Sequence, residues 1–428
     1  MENIVIGSGP AGRVGSIELG KLGEDVILIE KKHIAGTCLN EGCMVICALN
    51  DVSRLLNNKK KYENHGFIKG NIELDYKKLT EKIIETQEKL RAIEQKENES
   101  VGNKVIFGEA KVEGDTVTVN GESFNYKNLM VATGGRPSIP QIEGVENGYY
   151  SNDILNLKEV PEKLNIIGGG IISAEIANIF SSFGSEVNIF VRSSFLKELN
   201  QKTKDYVIKN LLNRVNIYEN TDTLEINKNS INTSKGEFEG ITFICTGRVP
   251  NSEIVKDIVK LNPDNSIATD NMMKTNVDNI YAAGDVTGGY NLTPVARMEG
   301  ITAARNMAGL SQIVKYNNIP QSITLDMPVS FINNNKNSEN NSSIGIPGLA
   351  GPETFWNILN GHTGFTEIGF DKNTKEVKEV YSISPSSLSD VAYMSLLMNI
   401  GEDMENFDEF IEVHPNTDAV SKIMKYMY

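Results

Sequence analysis

Asn3–Glu30 reads NIVIGSGPAGRVGSIELGKLGEDVILIE, and the order of residue types within it decides the fold. An apolar run leads into a glycine turn, a stretch with helical spacing, and a second apolar run that ends on an acid. Gly7 permits a tight turn, Gly9 lets the backbone approach a pyrophosphate, and Gly12 allows the helix to pack closely on the sheet. Pro10 and Ala11 open the helix, whose N-terminus faces the phosphates. Glu30 falls at the distance where a carboxylate accepts hydrogen bonds from a ribose. A glycine triplet alone carries little weight. Strand, turn, helix, strand and acid in this order predict a dinucleotide-binding unit, and hence a parallel α/β fold.

The pattern returns in LNIIGGGIISAEIANIFSSFGSEVNIFVR, Leu164–Arg192. Gly168 and Gly170 take the first two glycine positions and Ser173 the third. Counting from the glycines that close the two helices, Gly23 and Gly184, Glu30 corresponds to Val191, and Arg192 follows it. A carboxylate there would repel a 2′-phosphate, whereas a neutral residue followed by a guanidinium would bind one. The second site is therefore expected to take NADP(H) in preference to NAD(H). Two dinucleotide sites in one chain imply electron transfer between two cofactors.

At 428 residues the chain is too long for one core and predicts two or three domains. Hydrophobic residues make up 39% and charged residues 23%, the balance of a soluble globular protein. A net charge of −14 argues against a nucleic-acid or anionic-membrane partner. No secretory signal is visible, and no uncharged apolar run reaches the roughly 18 residues of a membrane helix. A cytoplasmic location follows as the expectation. Structural disulfides are rare in that compartment, so a close cysteine pair points to catalysis or metal binding.

GTCLNEGCMVICALN, Gly36–Asn50, holds three of the four cysteines. Zinc motifs bring cysteines two to four residues apart and need four ligands, so no metal is expected here. A disulfide needs α-carbons within about 7 Å. Five residues of helix rise about 7.5 Å, so Cys38 and Cys43 could bond only if they do not share one regular helix. Cys38 is then expected in a loop, with Gly42 easing the bend before a helix carrying Cys43. On the residues alone, a staple and a redox pair both remain open.

The motifs GSGPAG, GTCLNEGC, ATGGRP (Ala132–Pro137), GGGIISAE, CTGRVPN (Cys245–Asn251), NIYAAGDV (Asn279–Val286), LTPVARMEG (Leu292–Gly300) and VHP (Val413–Pro415) occur in this order. Together they resemble the pyridine nucleotide–disulfide oxidoreductases, whose familiar members are dihydrolipoamide dehydrogenase, glutathione reductase and mercuric reductase. The resemblance implies two Rossmann-like domains, for FAD and NAD(P), and an α+β C-terminal domain through which the family dimerises. Residues 1–144 rejoined by 252–314 would form the first, 145–251 the second, and 315–428 the third.

By the same resemblance, FAD would be held by the first fingerprint with Glu30, Lys31, Gly36 and Thr37. Ala110, Ala132, Thr133, Gly134 and Arg248 would join them. Gly284, Asp285 (on the ribityl chain), Thr293, Pro294 and Val295 would complete the site. The nicotinamide nucleotide would lie on Gly168, Gly170, Ile171, Ile172, Glu175, Arg192, Thr246 and Gly247. Cys38 and Cys43 would form the redox disulfide, with Cys43 as the thiolate in charge-transfer contact with the flavin and Cys38 exchanging with a small disulfide substrate. A thiol exchanging protons near neutrality needs a base with a pKa near 7. Among His33, His65, His362 and His414, only His414 has the family's His-Pro context, and in the family it reaches the other subunit's cysteines in a homodimer.

Four departures accompany the resemblance. Cys47 stands where the family has a lysine paired with a glutamate, and that glutamate survives as Glu175. Ionised, Glu175 would lower the flavin potential; it could instead be protonated or turned away. Cys47 shares a helix face with Cys43, either as a small buried thiol filling the lysine's space or as a third redox thiol. The glutamate expected five residues after the histidine is replaced by Ala419, with Asp418 one residue early. Ile171 replaces a tyrosine found over the nicotinamide pocket in several members. The C-terminal domain keeps the family's rhythm but few of its residues, so known substrates do not carry over.

Three functions fit: an NAD(P)H-linked reductase of a small disulfide, a dihydrolipoamide dehydrogenase using NAD, and an electron-transfer or redox-sensing flavoprotein. Tyr76–Asn98 predicts an amphipathic helix, Asn333–Ser343 a mobile polar loop, and Glu402–Glu409 a solvated acidic helix face.

Overall fold

A computed structural model describes residues 1–334, 341–401 and 407–427. Strand Glu2–Ile6 is buried from its second residue onward and lies between Val26–Glu30 and Glu122–Val131, parallel to both. Lys104–Phe107 extends the sheet beyond Val26–Glu30, and Ile280–Ala282 pairs in parallel with Glu122–Val131. The central runs are apolar without alternation because both faces are buried: Val5 and Leu28 pack with Leu19, Ala303 and Ala304 on one side, and Ile4, Ile6, Ile27 and Ile29 with Val117, Val119 and Tyr126 on the other. Helix α1 (Pro10–Lys21) connects the first two strands.

Two helices follow Val26–Glu30: α2 (Gly36–Asn40) and α3 (Cys43–Asn64). Helix α4 (Tyr76–Ser100) then forms where the spacing predicts it. Asp75 caps it by accepting the Lys78 amide, and Tyr76, Thr80, Ile83 and Gln87 face inward at helical intervals.

In the second sheet, Lys163–Ile167 lies between Glu186–Val191 and Ile241–Ile244, all parallel, with Val215–Glu219 outside Glu186–Val191. Asn165 and Asn188 are buried within these strands, and with the exposed Asn216 they form a bonded row. Asn188 donates to Asn165 at 3.1 Å and Asn216 donates to Asn188 at 3.0 Å. Such a ladder satisfies polar groups that burial would otherwise penalise. Helix α5 (Ile171–Phe183) leaves the second glycine turn, and α6 (Gln201–Tyr206) lies further along.

The chain then returns to the first sheet, and α7 (Thr293–Met307) packs on α1. A β-carbon on Gly300 would sit 2.2 Å from the Ala11 carbonyl oxygen, so glycine is what lets these helices touch. The last unit is an antiparallel sheet, in order Gln321–Ile323, Val329–Asn333, Val377–Ile383, Phe365–Asp371 and Asn341–Pro347. Helices α8 (Ser387–Ile400) and α9 (Ala419–Tyr426) bury Val391, Met394, Val420 and Ile423 in its core. The architecture is two dinucleotide-binding folds plus an α+β domain.

Three local expectations change. Cys38 lies in α2, not in a loop; the chain breaks at Gly42, with φ −136° and ψ −121°, before α3 begins. Asn341–Ser343, read as loop, belong to a strand, while residues 335–340 lie outside the described residues. Of the acidic run, 402–406 are likewise outside, and Phe407–Glu409 form a single 3₁₀ turn. Among the described residues, no helix is long and apolar enough to cross a membrane.

Candidate active site

The two glycine turns, the cysteines and Asp285 line one cavity of 2310 Å³. That exceeds the roughly 300–1,000 Å³ of a single small-molecule site and leaves room for more than one large ligand. Gly7, at φ +98°, could not carry a β-carbon, which would stand 2.3 Å from the Ala132 carbonyl oxygen. Gly12 is excluded from substitution by the Gly7 carbonyl at 1.9 Å, so its role is packing and it does not face the cavity. At Gly9, by contrast, nothing lies within 4 Å of an added β-carbon, and no side chain caps α1. Free helix-end amides therefore face open space, the arrangement that receives a phosphate.

Glu30 ends its strand almost fully buried. Its carboxylate accepts the Ser8 amide at 2.8 Å, the Ser8 hydroxyl at 2.6 Å and the Lys32 amide at 2.7 Å. The acid thus fixes the first turn and still lines the cavity. Asp285 lies opposite, with Arg248 Nε 3.6 Å from its Oδ2, and burial pushes its carboxyl above the usual range. Glycine turn, strand-end acid and half-buried Asp285 fit a dinucleotide carrying a pyrophosphate and polyol chain.

The second turn repeats the first. A β-carbon on Gly168 would lie 2.2 Å from the Cys245 carbonyl oxygen, Gly170 faces open space, and Ser173 is fully buried at the third glycine position. Val191 ends its strand buried. Arg192 is exposed and lines the cavity beside Ser193, Ser194 and Lys197. Ile171 and Ile172 start α5 on the same wall as Thr246 and Gly247.

Between the two turns lie the cysteines. Ala35 (φ 72°), just before α2, and Gly36 (φ 56°), its first residue, both adopt left-handed backbone, and Gln87 of α4 holds the far end of that helix. It donates to the Leu39 and Asn40 carbonyls at 2.9 and 3.1 Å. The Thr293 hydroxyl at the start of α7 donates to Cys38 Sγ at 3.3 Å and lies 3.7 Å from Cys43 Sγ. Both sulfurs therefore meet one hydroxyl at a helix N-terminus, a setting that favours a thiolate. A hydrogen bond from Cys43 is the main cause that lowers Cys38 to about 6, with Thr293 adding to it. Sharing that proton, Cys43 is pushed well above the usual thiol range. The pair is one thiolate and one thiol near neutrality. It is ready for thiol–disulfide exchange.

Cys47 overturns the expectation of a buried filler, for it is exposed to the cavity. Partial burial, Cys43 and Glu175 all raise its pKa. Glu175 has not turned away: it lines the cavity and accepts the Thr324 amide at 2.8 Å. Loss of solvent pushes its carboxyl up to about 7.

Val295 is buried in the first turn of α7, away from the cavity, while Pro294 and Ala296 face it. His414 is exposed and does not line the cavity of its own chain. Asp418 is committed elsewhere: it caps α9 by accepting the Ser421 amide and takes the Tyr393 hydroxyl at 2.8 Å. Gln87 and Thr324 escaped the sequence reading, because neither lies in a glycine or cysteine motif. Thr293 was legible as a site residue in LTPVARMEG, but its contact with both sulfurs was not.

Residues 1–300 match the family described as pyridine nucleotide-disulphide oxidoreductase. An uncharacterized protein of Methanocaldococcus jannaschii is 31% identical over 98% of this chain and 96% of its own length. The dihydrolipoyl dehydrogenase of Geobacillus stearothermophilus is 28% identical over 98% and 94% respectively. Among solved structures, the HOCl-induced flavoprotein disulfide reductase RclA of Escherichia coli superposes with a TM-score of 0.88. Each chain is covered in full, at 22% sequence identity.

Proposed function

The chain belongs to the pyridine nucleotide-disulphide oxidoreductases, and from that premise we propose that it passes electrons from NADP(H), through FAD, to a Cys38–Cys43 disulfide and on to a small disulfide substrate. The observation that carries this reading is the Thr293 hydroxyl at 3.3 and 3.7 Å from the two sulfurs, in the cavity that both glycine turns line.

FAD, when bound, supplies hydride acceptance and two-electron delivery to a disulfide. This chain's residues do the rest. Gly9 and α1 receive the pyrophosphate, Glu30 the ribose, and Asp285 the polyol chain. Gly168, Gly170 and Arg192 bind the second nucleotide, with Ile171 covering its inner end. Thr293 and α7 hold the negative charge of the Cys38–Cys43 pair after its bond opens, and the Cys38 thiolate attacks the substrate disulfide. The departing substrate thiolate needs a proton donor. His414 fits that role only from a second copy of the chain, since it lies outside its own cavity. Val413 beside it is 81% exposed and Ile411 87%, an apolar surface that a homodimer would cover.

Anaerobic titration with NADPH tests the proposal. One equivalent should release two titratable thiols per chain while the flavin absorbance recovers, and Cys43→Ser should abolish both events. Full reduction without new thiols would leave an electron-transfer or sensing role instead. Equal turnover with NAD would favour a dihydrolipoamide dehydrogenase.

A further inference from the structure

We infer that Glu299, bonded to the Gly284 amide and the Tyr316 hydroxyl, is a positioning residue for FAD: it holds the turn that presents Asp285 to the cavity. The inference rests on the cofactor role proposed above for Asp285 and adds two residues that role does not use.

Asp285 opens a single 3₁₀ turn, Asp285–Thr287, which follows strand Ile280–Ala282 at the cavity wall. Gly284 precedes it with φ +82° and ψ −163°, a backbone shape that favours glycine. A β-carbon there would stand 3.0 Å from the Ala11 β-carbon and 3.6 Å from that of Ala296. The turn is therefore wedged between α1 and α7. Gly284 is buried, so its amide needs an acceptor within the protein. Glu299 of α7 supplies it, with Oε2 accepting that amide at 2.7 Å.

The other carboxylate oxygen is also engaged. Oε1 accepts the Tyr316 hydroxyl at 2.8 Å, so the Glu299 side chain is held at both oxygens. The Thr287 hydroxyl, at the far end of the turn, donates to the Gly284 carbonyl at 2.9 Å and lies 3.5 Å from Oε2. Tyr316 comes after α7, and its ring stacks on Tyr290 with centroids 6.0 Å apart. Tyr290 lines the cavity, whereas Glu299 does not and is only 4% exposed. Glu299 therefore acts through the turn and does not meet the cofactor itself. What it fixes is the direction in which the Asp285 side chain leaves the backbone. The same helix begins at Thr293, which meets both sulfurs. One element thus keeps the acid that receives the polyol chain in register with the cysteine pair.

Apoprotein of the full chain is titrated with FAD, and the change in flavin fluorescence gives the dissociation constant. Glu299→Leu should raise it about tenfold, for the loss of the acceptor of a buried amide. Glu299→Gln keeps a carbonyl oxygen for that amide and should stay within about threefold of the wild type. A residue that acts through Asp285 has no further effect once that side chain is gone. Added to Asp285→Ala, Glu299→Leu should therefore weaken binding by less than about twofold. Losses that multiply instead would make Glu299 a general support of the fold and overturn the inference. Wild-type affinity in Glu299→Leu would overturn it as well. If Glu299→Leu does not fold, Tyr316→Phe takes its place in the same cycle, with an expected loss of about threefold on its own. A wild-type apoprotein that takes up no FAD would instead defeat the cofactor reading on which the inference rests.

Discussion

The α-carbon of Gly9 lies so close beneath Gly36 that a β-carbon built on Gly36 would stand 2.8 Å from it. The segment leading into the cysteines is therefore pressed onto the turn that receives a pyrophosphate. Gly36 also holds φ at +56°, which a residue with a side chain adopts only at a cost of about 1–2 kcal/mol. Gly36→Ala should displace α2 and weaken FAD binding at least tenfold. Flavin released on gel filtration, against wild type, measures it. Full retention of flavin with an unchanged thiol count would show that the contact relaxes freely.

Cys38 should titrate near 6, far below an ordinary thiol. Thiolate is the reactive form, so alkylation of the reduced protein by iodoacetamide should rise as pH passes through about 6 and be level by pH 8. Thr293→Val removes one hydrogen bond to that thiolate and should move the midpoint up by about one pH unit. The rate of Cys38 modification, resolved by peptide mapping, reports the shift. An unmoved midpoint would assign the effect to Cys43 alone.

Arg192→Ala should raise the KM for NADPH at least tenfold, the loss of one charge-assisted contact of about 1.5–3 kcal/mol, while kcat stays within about twofold. The KM for NADH should change little, and Arg192→Glu should reverse the preference. Equal effects on the two coenzymes would remove the argument for a 2′-phosphate at this strand end.

Gln87→Leu leaves the Leu39 and Asn40 carbonyls without their donor, at a cost of about 1–3 kcal/mol each if both stay buried. Its reach is local, to the end of the short helix carrying Cys38. Air oxidation of the reduced protein should form the Cys38–Cys43 bond several-fold more slowly, at nearly unchanged circular dichroism. Wild-type kinetics would place the support of α2 elsewhere.

Glu175 also sets a pH dependence of stability. Its folded value of about 7 lies above the ordinary 4.5, so the folded state favours the protonated form. The associated stability is complete below about 4.5 and is lost as pH rises through 7. Glu175→Gln should therefore gain on the wild type as pH rises, approaching about 3 kcal/mol above pH 8, with little difference near pH 5. Denaturant melts of the FAD-loaded protein at both pH values give the comparison. A constant gap between them would mean that the carboxyl does not change its protonation on unfolding.

The two glycine turns, the acid at Glu30 and the cysteine segment were legible in the chain because each is a local pattern, fixed by backbone sterics within some thirty residues. The same locality explains why Tyr76–Asn98 could be read as a helix, and why the replacement of an acid by Val191 and Arg192 could be located by counting from Gly184. It also explains a miss. Residue spacing forbade one helix through both cysteines but could not show that Cys38 begins a helix of its own, since Gln87, far along the chain, secures that turn. Thr293 meeting both sulfurs, Glu175 bonded to Thr324, Cys47 opening to the cavity and Asp418 taken by the Tyr393 hydroxyl were decided only by tertiary structure. These contacts join segments separated by up to 255 residues. Burial and charge at a site depend on what the rest of the fold brings beside it, and no run of sequence contains that information.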